Sequence, residues 1–213
     1  MKTDQLIDML ANGAQAVDPH VLRRRYAQAL GAGALVTTVM MIVLLGLQPD
    51  LGRVAWLPMF WIKLAFPALI LAGASLATAR LSRPGSRIGH VPAVIAAPVL
   101  ALWLLSGAAL LNAAPGEQHA LLFGSSWLAC PASVAALSVP MFVALLWAMK
   151  GLAPTRPALA GAAAGLLAGA GAALVYALHC TETSLVFVGV WYVLGMFIPA
   201  VLGALIGRIA LRW

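Results

Sequence analysis

The chain has 213 residues, of which 63% are apolar and only 9% charged, with a formal net charge of +7. Soluble globular proteins carry roughly a quarter charged residues, and so few charges cannot cover this much apolar surface in water. A soluble domain is excluded, and so is a nucleic-acid groove, because no basic stripe with interleaved aromatics is present.

Residues 1–25 are the one stretch outside the apolar blocks long enough to act as a separate segment. Residues 3–12 fit one short helix, with Leu6, Ile7 and Leu10 on one face and Asp4 and Asp8 one turn apart on another. Residues 1–22 hold one basic and three acidic side chains. Helices that lie on a membrane are usually rich in Lys and Arg, so an acidic amphipathic segment reads better as a docking element for a protein. Asp4, Leu6, Ile7, Asp8 and Leu10 are the candidate partner-binding residues. The segment has no apolar core of a signal peptide, so a cleaved leader is not expected.

A crossing needs about 20 largely apolar residues to pass roughly 30 Å of hydrocarbon. Spans are expected at 27–48, 55–79, 91–111, 131–149, 158–178 and 185–207. The fold class is therefore all-α, a polytopic membrane bundle of about six transmembrane helices with a short cytoplasmic N-terminal amphipathic helix. Two units follow, residues 1–25 as the N-terminal segment and residues 26–213 as the membrane domain. Eleven of the thirteen basic residues lie before span 1, between spans 2 and 3, between spans 4 and 5, or after span 6. By the positive-inside rule that side is cytoplasmic, and an even span count places both termini there.

In span 2, Lys63 is the one charge deep within an apolar block. A cation there either snorkels to the interface or pairs with an acidic or polar group inside the bundle. Asp50, Glu117 and Glu182 are its candidate partners. Pro67, Pro98, Pro140 and Pro199 fall inside spans and predict kinks. Span 5 carries Gly161, Gly165 and Gly169 at four-residue spacing, a flat stripe for close helix approach. Packing within the chain is the first reading of the stripe, and homodimerisation the second.

Cys130 opens span 4 and Cys180 follows span 5, fifty residues later. The topology puts both at the outer face, on helices joined by one short connection. They are either small residues packed in the core or a functional pair. The pair has two open versions: a reversible disulfide, or a soft-metal site in which thiolates are joined by His179, His119, Glu182 or Glu117. No other cofactor is indicated. Gly124, Ser125, Ser126 and Trp127 resemble a nucleophile turn only loosely, and no histidine within another span stands by as a base. There is no Cys-X-X-Cys, phosphate loop or His-X-X-Glu-His pattern, so an enzyme is not expected.

Several short motifs occur in order along the whole chain: Met1 to Leu10 at the start, Phe60-Trp61-Ile62-Lys63, Arg83-Pro84-Gly85, and Phe123-Gly124-Ser125-Ser126-Trp127 with Cys130. Ala153-Pro154, the Gly161–Gly171 stripe, Tyr176 to Cys180 with Glu182, and Trp191-Tyr192 follow. In this the chain resembles the NrsF-type family, negative regulators of sigma factor F and six-span bacterial anti-sigma factors. The resemblance implies a protein of the bacterial inner membrane that holds an extracytoplasmic-function sigma factor until oxidant or heavy metal releases it. It further implies that Cys130 and Cys180 are the sensing pair. The rival readings are a small transporter or metal exporter, which would need a polar path through the core, and a structural membrane subunit.

Overall fold

The computed structural model describes Thr3, Gln5 and residues 19–83, 85, 87–150, 152 and 154–212, the side chains of residues 19–23 excepted. Within residues 19–212, among the described residues, eight helices follow one another: α1 Pro19–Leu44, α2 Leu51–Val54, α3 Pro58–Leu81, α4 Val91–Asn112, α5 Pro115–Phe123, α6 Ala129–Met149, α7 Pro157–Tyr176 and α8 Leu185–Ala210. No strand occurs among the described residues. Six of the helices are long and apolar enough to cross a membrane, and they match the six expected spans. Their outward faces carry Leu35, Val43, Leu104, Trp147 and Ile209, apolar side chains that only hydrocarbon can cover without cost.

Helix starts follow the sequence chemistry. Pro58, Pro115 and Pro157 occupy the first turns of α3, α5 and α7, where a missing N–H is harmless and φ is already helical. Arg80 and Arg208 sit in the last turns of α3 and α8, where a cation complements the helix dipole. The four internal prolines lie within α3, α4, α6 and α8 without ending them.

The long helices alternate in direction, so the bundle has two chemically distinct ends. At one end the start of α1 meets the end of α3 through a Tyr26–Ser82 hydrogen bond, and the start of α7 meets the end of α8, where Gly207 faces the Pro157 carbonyl. Arg80, Arg83, Arg87, Lys150, Arg156, Arg208 and Arg212 belong to this basic end. At the other end lie Cys130, Cys180, Lys63 and Glu182.

The axis of the bundle is α7, with 67% of its span buried, whereas α4 is 11% buried and stands at the periphery. The glycine stripe explains why. A Cβ on Gly161 would lie 2.0 Å from the Gly203 carbonyl oxygen, and one on Gly165 would lie 2.0 Å from that of Pro199. At Gly169 the obstacle is the Pro199 ring, at 2.8 Å. The backbones of α7 and α8 therefore touch, as small-residue stripes allow. The stripe serves packing within the chain. Homodimerisation through Gly161, Gly165 and Gly169 is corrected on this point, because α8 already covers them.

Candidate functional site

Cys130 is the second residue of α6, and its N–H bonds the Ser126 carbonyl at 2.9 Å. Cys180 ends the turn after α7, its N–H on the Tyr176 carbonyl at 3.0 Å. Both are free thiols, 0% and 4% exposed, and both belong to one buried cluster with Tyr176, Phe187 and Tyr192. Cys130 lies within electrostatic reach of Cys180, Lys63 and Glu182. Two residues fifty apart in sequence thus share one buried cluster.

Lys63 is 3% exposed, so it does not snorkel to open water. Its ammonium donates to the Cys180 carbonyl and, at 3.1 Å, to the Glu182 carbonyl, and it stands 5.9 Å from the centre of the Tyr192 ring. The expected acidic partner is replaced by backbone. A buried cation leaves water at a cost of several kcal/mol, and charge-assisted hydrogen bonds with the adjacent ring face offset part of it. The consequence is positional, because Lys63 on α3 fixes the loop that carries Cys180.

The Glu182 carboxylate points the other way. One oxygen accepts from the Ser125 N–H at 2.7 Å, the Ser125 hydroxyl at 2.6 Å and the Ser126 hydroxyl at 3.5 Å. Gly124 adopts φ +53°, and a Cβ there would lie 2.7 Å from the carboxylate carbon. The Gly-Ser-Ser turn is a cradle for a carboxylate, not a nucleophile turn. Since Ser126 leads into Cys130, Glu182 ties the two cysteine-bearing loops together. Sequence reading named Glu182 as a partner of Lys63 or of a metal and missed this contact. A glycine followed by two hydroxyl residues, Gly124-Ser125-Ser126, was the signal the sequence carried.

Tyr192 completes the pocket. It lies in a π-helical stretch of α8, Val188–Tyr192, a form that often marks functional positions. Its side chain is fully buried, and its hydroxyl has no hydrogen-bond partner among the described residues. Phe123, Trp127 and Trp191 pack over the rim at centroid distances of 5.3–6.1 Å. The Trp191 indole N–H holds the Leu122 carbonyl at 2.7 Å.

Residues 10–213 match the family described as negative regulator of sigma F, NrsF. The chain belongs to the NrsF family. It is similar to the probable anti-sigma-F factor NrsF of Azospira oryzae, 52% identical over 213 residues and the full length of both chains. It is also similar to the anti-sigma-F factor NrsF of Caulobacter vibrioides, 39% identical over 215 residues, again over the full length of both. No solved structure matches.

For this NrsF-family chain, the remaining expected site residues sort as follows. His179 directs Nδ1 to the Gly46 carbonyl at 3.0 Å, and His119 stacks on Phe123 at 4.6 Å. No three His, Cys, Asp or Glu side chains gather as a metal site among the described residues. The wider ligand set of His179, His119 and Glu182 around the thiols is therefore not assembled among the described residues. Asp4, Leu6, Ile7, Asp8 and Leu10 lie outside the described residues.

Proposed function

We propose that this chain is a membrane-held anti-sigma factor of the bacterial inner membrane, with its basic end and both termini in the cytoplasm. The names of its relatives support a sigma-factor partner. In this reading the partner is an extracytoplasmic-function sigma factor, docked on the N-terminal segment through Leu6, Ile7 and Leu10 with Asp4 and Asp8 beside them. The signal enters at Cys130 and Cys180. The observation that carries this reading is that both thiols belong to one buried cluster at the end opposite the basic one, where Glu182 ties the Cys180 loop to the turn that leads into Cys130.

The chemistry balances with a peroxide as oxidant. Two thiols give up two electrons and two protons, one S–S bond forms, the O–O bond breaks, and two waters leave. A soft cation, held between the two sulfurs with release of their protons, would load the same pair. A small cavity of about 10 Å³, lined by Lys63, Cys180 and Glu182 among others, is close to the volume one water centre needs and borders Cys180.

Bridging residues fifty apart removes about 4 kcal/mol of loop entropy from the unfolded chain, which does not bias one folded arrangement over another. Near-complete reversal of a two-state equilibrium takes about 5.5 kcal/mol, and in this reading the bridge supplies it as strain in the resting arrangement. The strain moves the start of α6 against the end of α7. These helices approach again at the basic end around Lys150 and Arg156. A transporter is not favoured, since the larger cavity is lined by apolar residues only.

The test is Cys130→Ser and Cys180→Ser, singly, with sigma-dependent transcription measured before and after peroxide or cadmium. Each variant is expected to insert normally and lose at least tenfold of the induction. Unchanged induction in either variant refutes the sensing role while leaving the anti-sigma role standing.

A further inference from the structure

An apolar groove of about 590 Å³ runs between α4 and the paired α7 and α8. Val91, Ile95, Val99 and Trp103 form one wall, and Ala162 and Phe197 face them. Its origin is a divergence of helices. Near the cysteine end, α4 is pinned to the first turns of α8 by Ser106 Oγ on the Leu185 carbonyl at 2.9 Å and Trp103 Nε1 on the Gly189 carbonyl at 2.8 Å. Toward the basic end α4 leans on α3 instead, where Gly73 lets Ile95 approach so closely that a Cβ would lie 2.8 Å from Ile95 Cγ1. The space between α4 and the rest of α8 is left open to the side of the bundle.

Three features identify the occupant. The groove follows α4 from Val91 to Trp103, a distance of twelve residue steps, about 18 Å at 1.5 Å per residue, slightly more than half of a hydrocarbon core of roughly 30 Å. That is the depth of one leaflet. Its lining is made of apolar residues only, the surface an acyl chain wets. The groove also opens at the basic end, where exposed Arg87 and His90 flank the lining residues Ile88 and Val91. Arg83 is exposed in the same loop, and Arg80 holds that loop through the Ile88 carbonyl at 2.7 Å. Basic mouths between transmembrane helices select anionic headgroups.

We propose that this groove binds one acyl chain of an anionic phospholipid, with the headgroup at the mouth beside Arg83 and Arg87. The site is independent of the sensing reading. It does touch the same element, because Trp103 lines the groove and holds a carbonyl within the π-helical stretch that carries Tyr192.

Trp103 also supplies the measurement. Full-length protein in phosphatidylcholine vesicles is titrated with phosphatidylglycerol brominated in its acyl chains, or with brominated phosphatidylcholine. Tryptophan quenching is recorded, and the Trp103→Phe signal is subtracted to isolate Trp103. The phosphatidylglycerol curve is expected to reach half-saturation at about tenfold lower mole fraction. Arg87→Gln, on the surface, is expected to lose roughly fivefold of that preference. Ala162→Phe, which fills the groove, is expected to remove the saturable Trp103 component at unchanged helicity. Equal curves for both lipids would overturn the site as ordinary boundary lipid. Absence of Trp103 quenching by either lipid would overturn it in favour of protein covering the groove, which cross-linking of two copies would identify.

Discussion

Glu182 delivers its carboxylate to an amide and two hydroxyls of a different loop, while its own carbonyl is held by Lys63. One residue is thereby fixed from both sides, and the two cysteine loops with it. Glu182→Gln keeps an acceptor oxygen but loses the charge that strengthens these bonds. For a half-exposed group the expected cost is about 1 kcal/mol, read as a lower thermal midpoint in detergent. Faster amide exchange is expected at residues 124–128 and 181–184 alone. Tyr192→Phe carries the opposite sign. Its hydroxyl is buried beside the Cys180 thiol and makes no geometrically sound hydrogen bond among the described residues, and removing such a group relieves roughly 1 kcal/mol. A stability gain is expected in the same assay, and a loss would show that the hydroxyl acts on the neighbouring thiols. At this scale the sequence named Cys130, Cys180, Lys63 and Glu182 but paired them incompletely. The pairing depends on which oxygen of Glu182 faces which helix, and no spacing encodes that.

Between elements, the contact of α7 with α8 is decided by missing side chains. Gly161→Ala would place a methyl 2.0 Å from a carbonyl oxygen of α8, so the helices must separate along their shared length. The expected destabilisation is about 1–3 kcal/mol. Gly31→Ala is the matched control, because that position in α1 has nothing within 4 Å, and there the change is expected to stabilise by a few tenths to about 1 kcal/mol. Thermal unfolding of both in one detergent gives the comparison. The stripe was legible as i, i+4 glycines, and its partner was not. The π-helical stretch in α8 left no trace in the sequence reading, since Val188 to Tyr192 looks like any apolar helix.

Across the whole molecule, the proposed function puts sensing and output at opposite ends of one bundle about a membrane thick. Deleting residues 2–12 tests the output end. The remaining chain keeps all six spans, so insertion should be unchanged while sigma-dependent transcription becomes constitutive. Continued repression would move the docking surface elsewhere on the basic end. Charge distribution alone announced this polarity, because an arginine strands at the side where it is synthesised far more easily than it crosses.

What the sequence determined by itself was the set of spans, their alternation and the end to which each cysteine belongs. Those follow from the transfer cost of each residue summed over about 20 neighbours, a local quantity. What only the tertiary structure decided was the rotation of each helix about its axis, and hence every cross-chain contact: Lys63 on carbonyls, Glu182 on serines, glycines against α8, and the groove beside α4. In water an apolar face marks the inside of a helix. In a bilayer the lipid is as apolar as the core, so these spans are apolar all round and carry no such mark until backbones and side chains interlock.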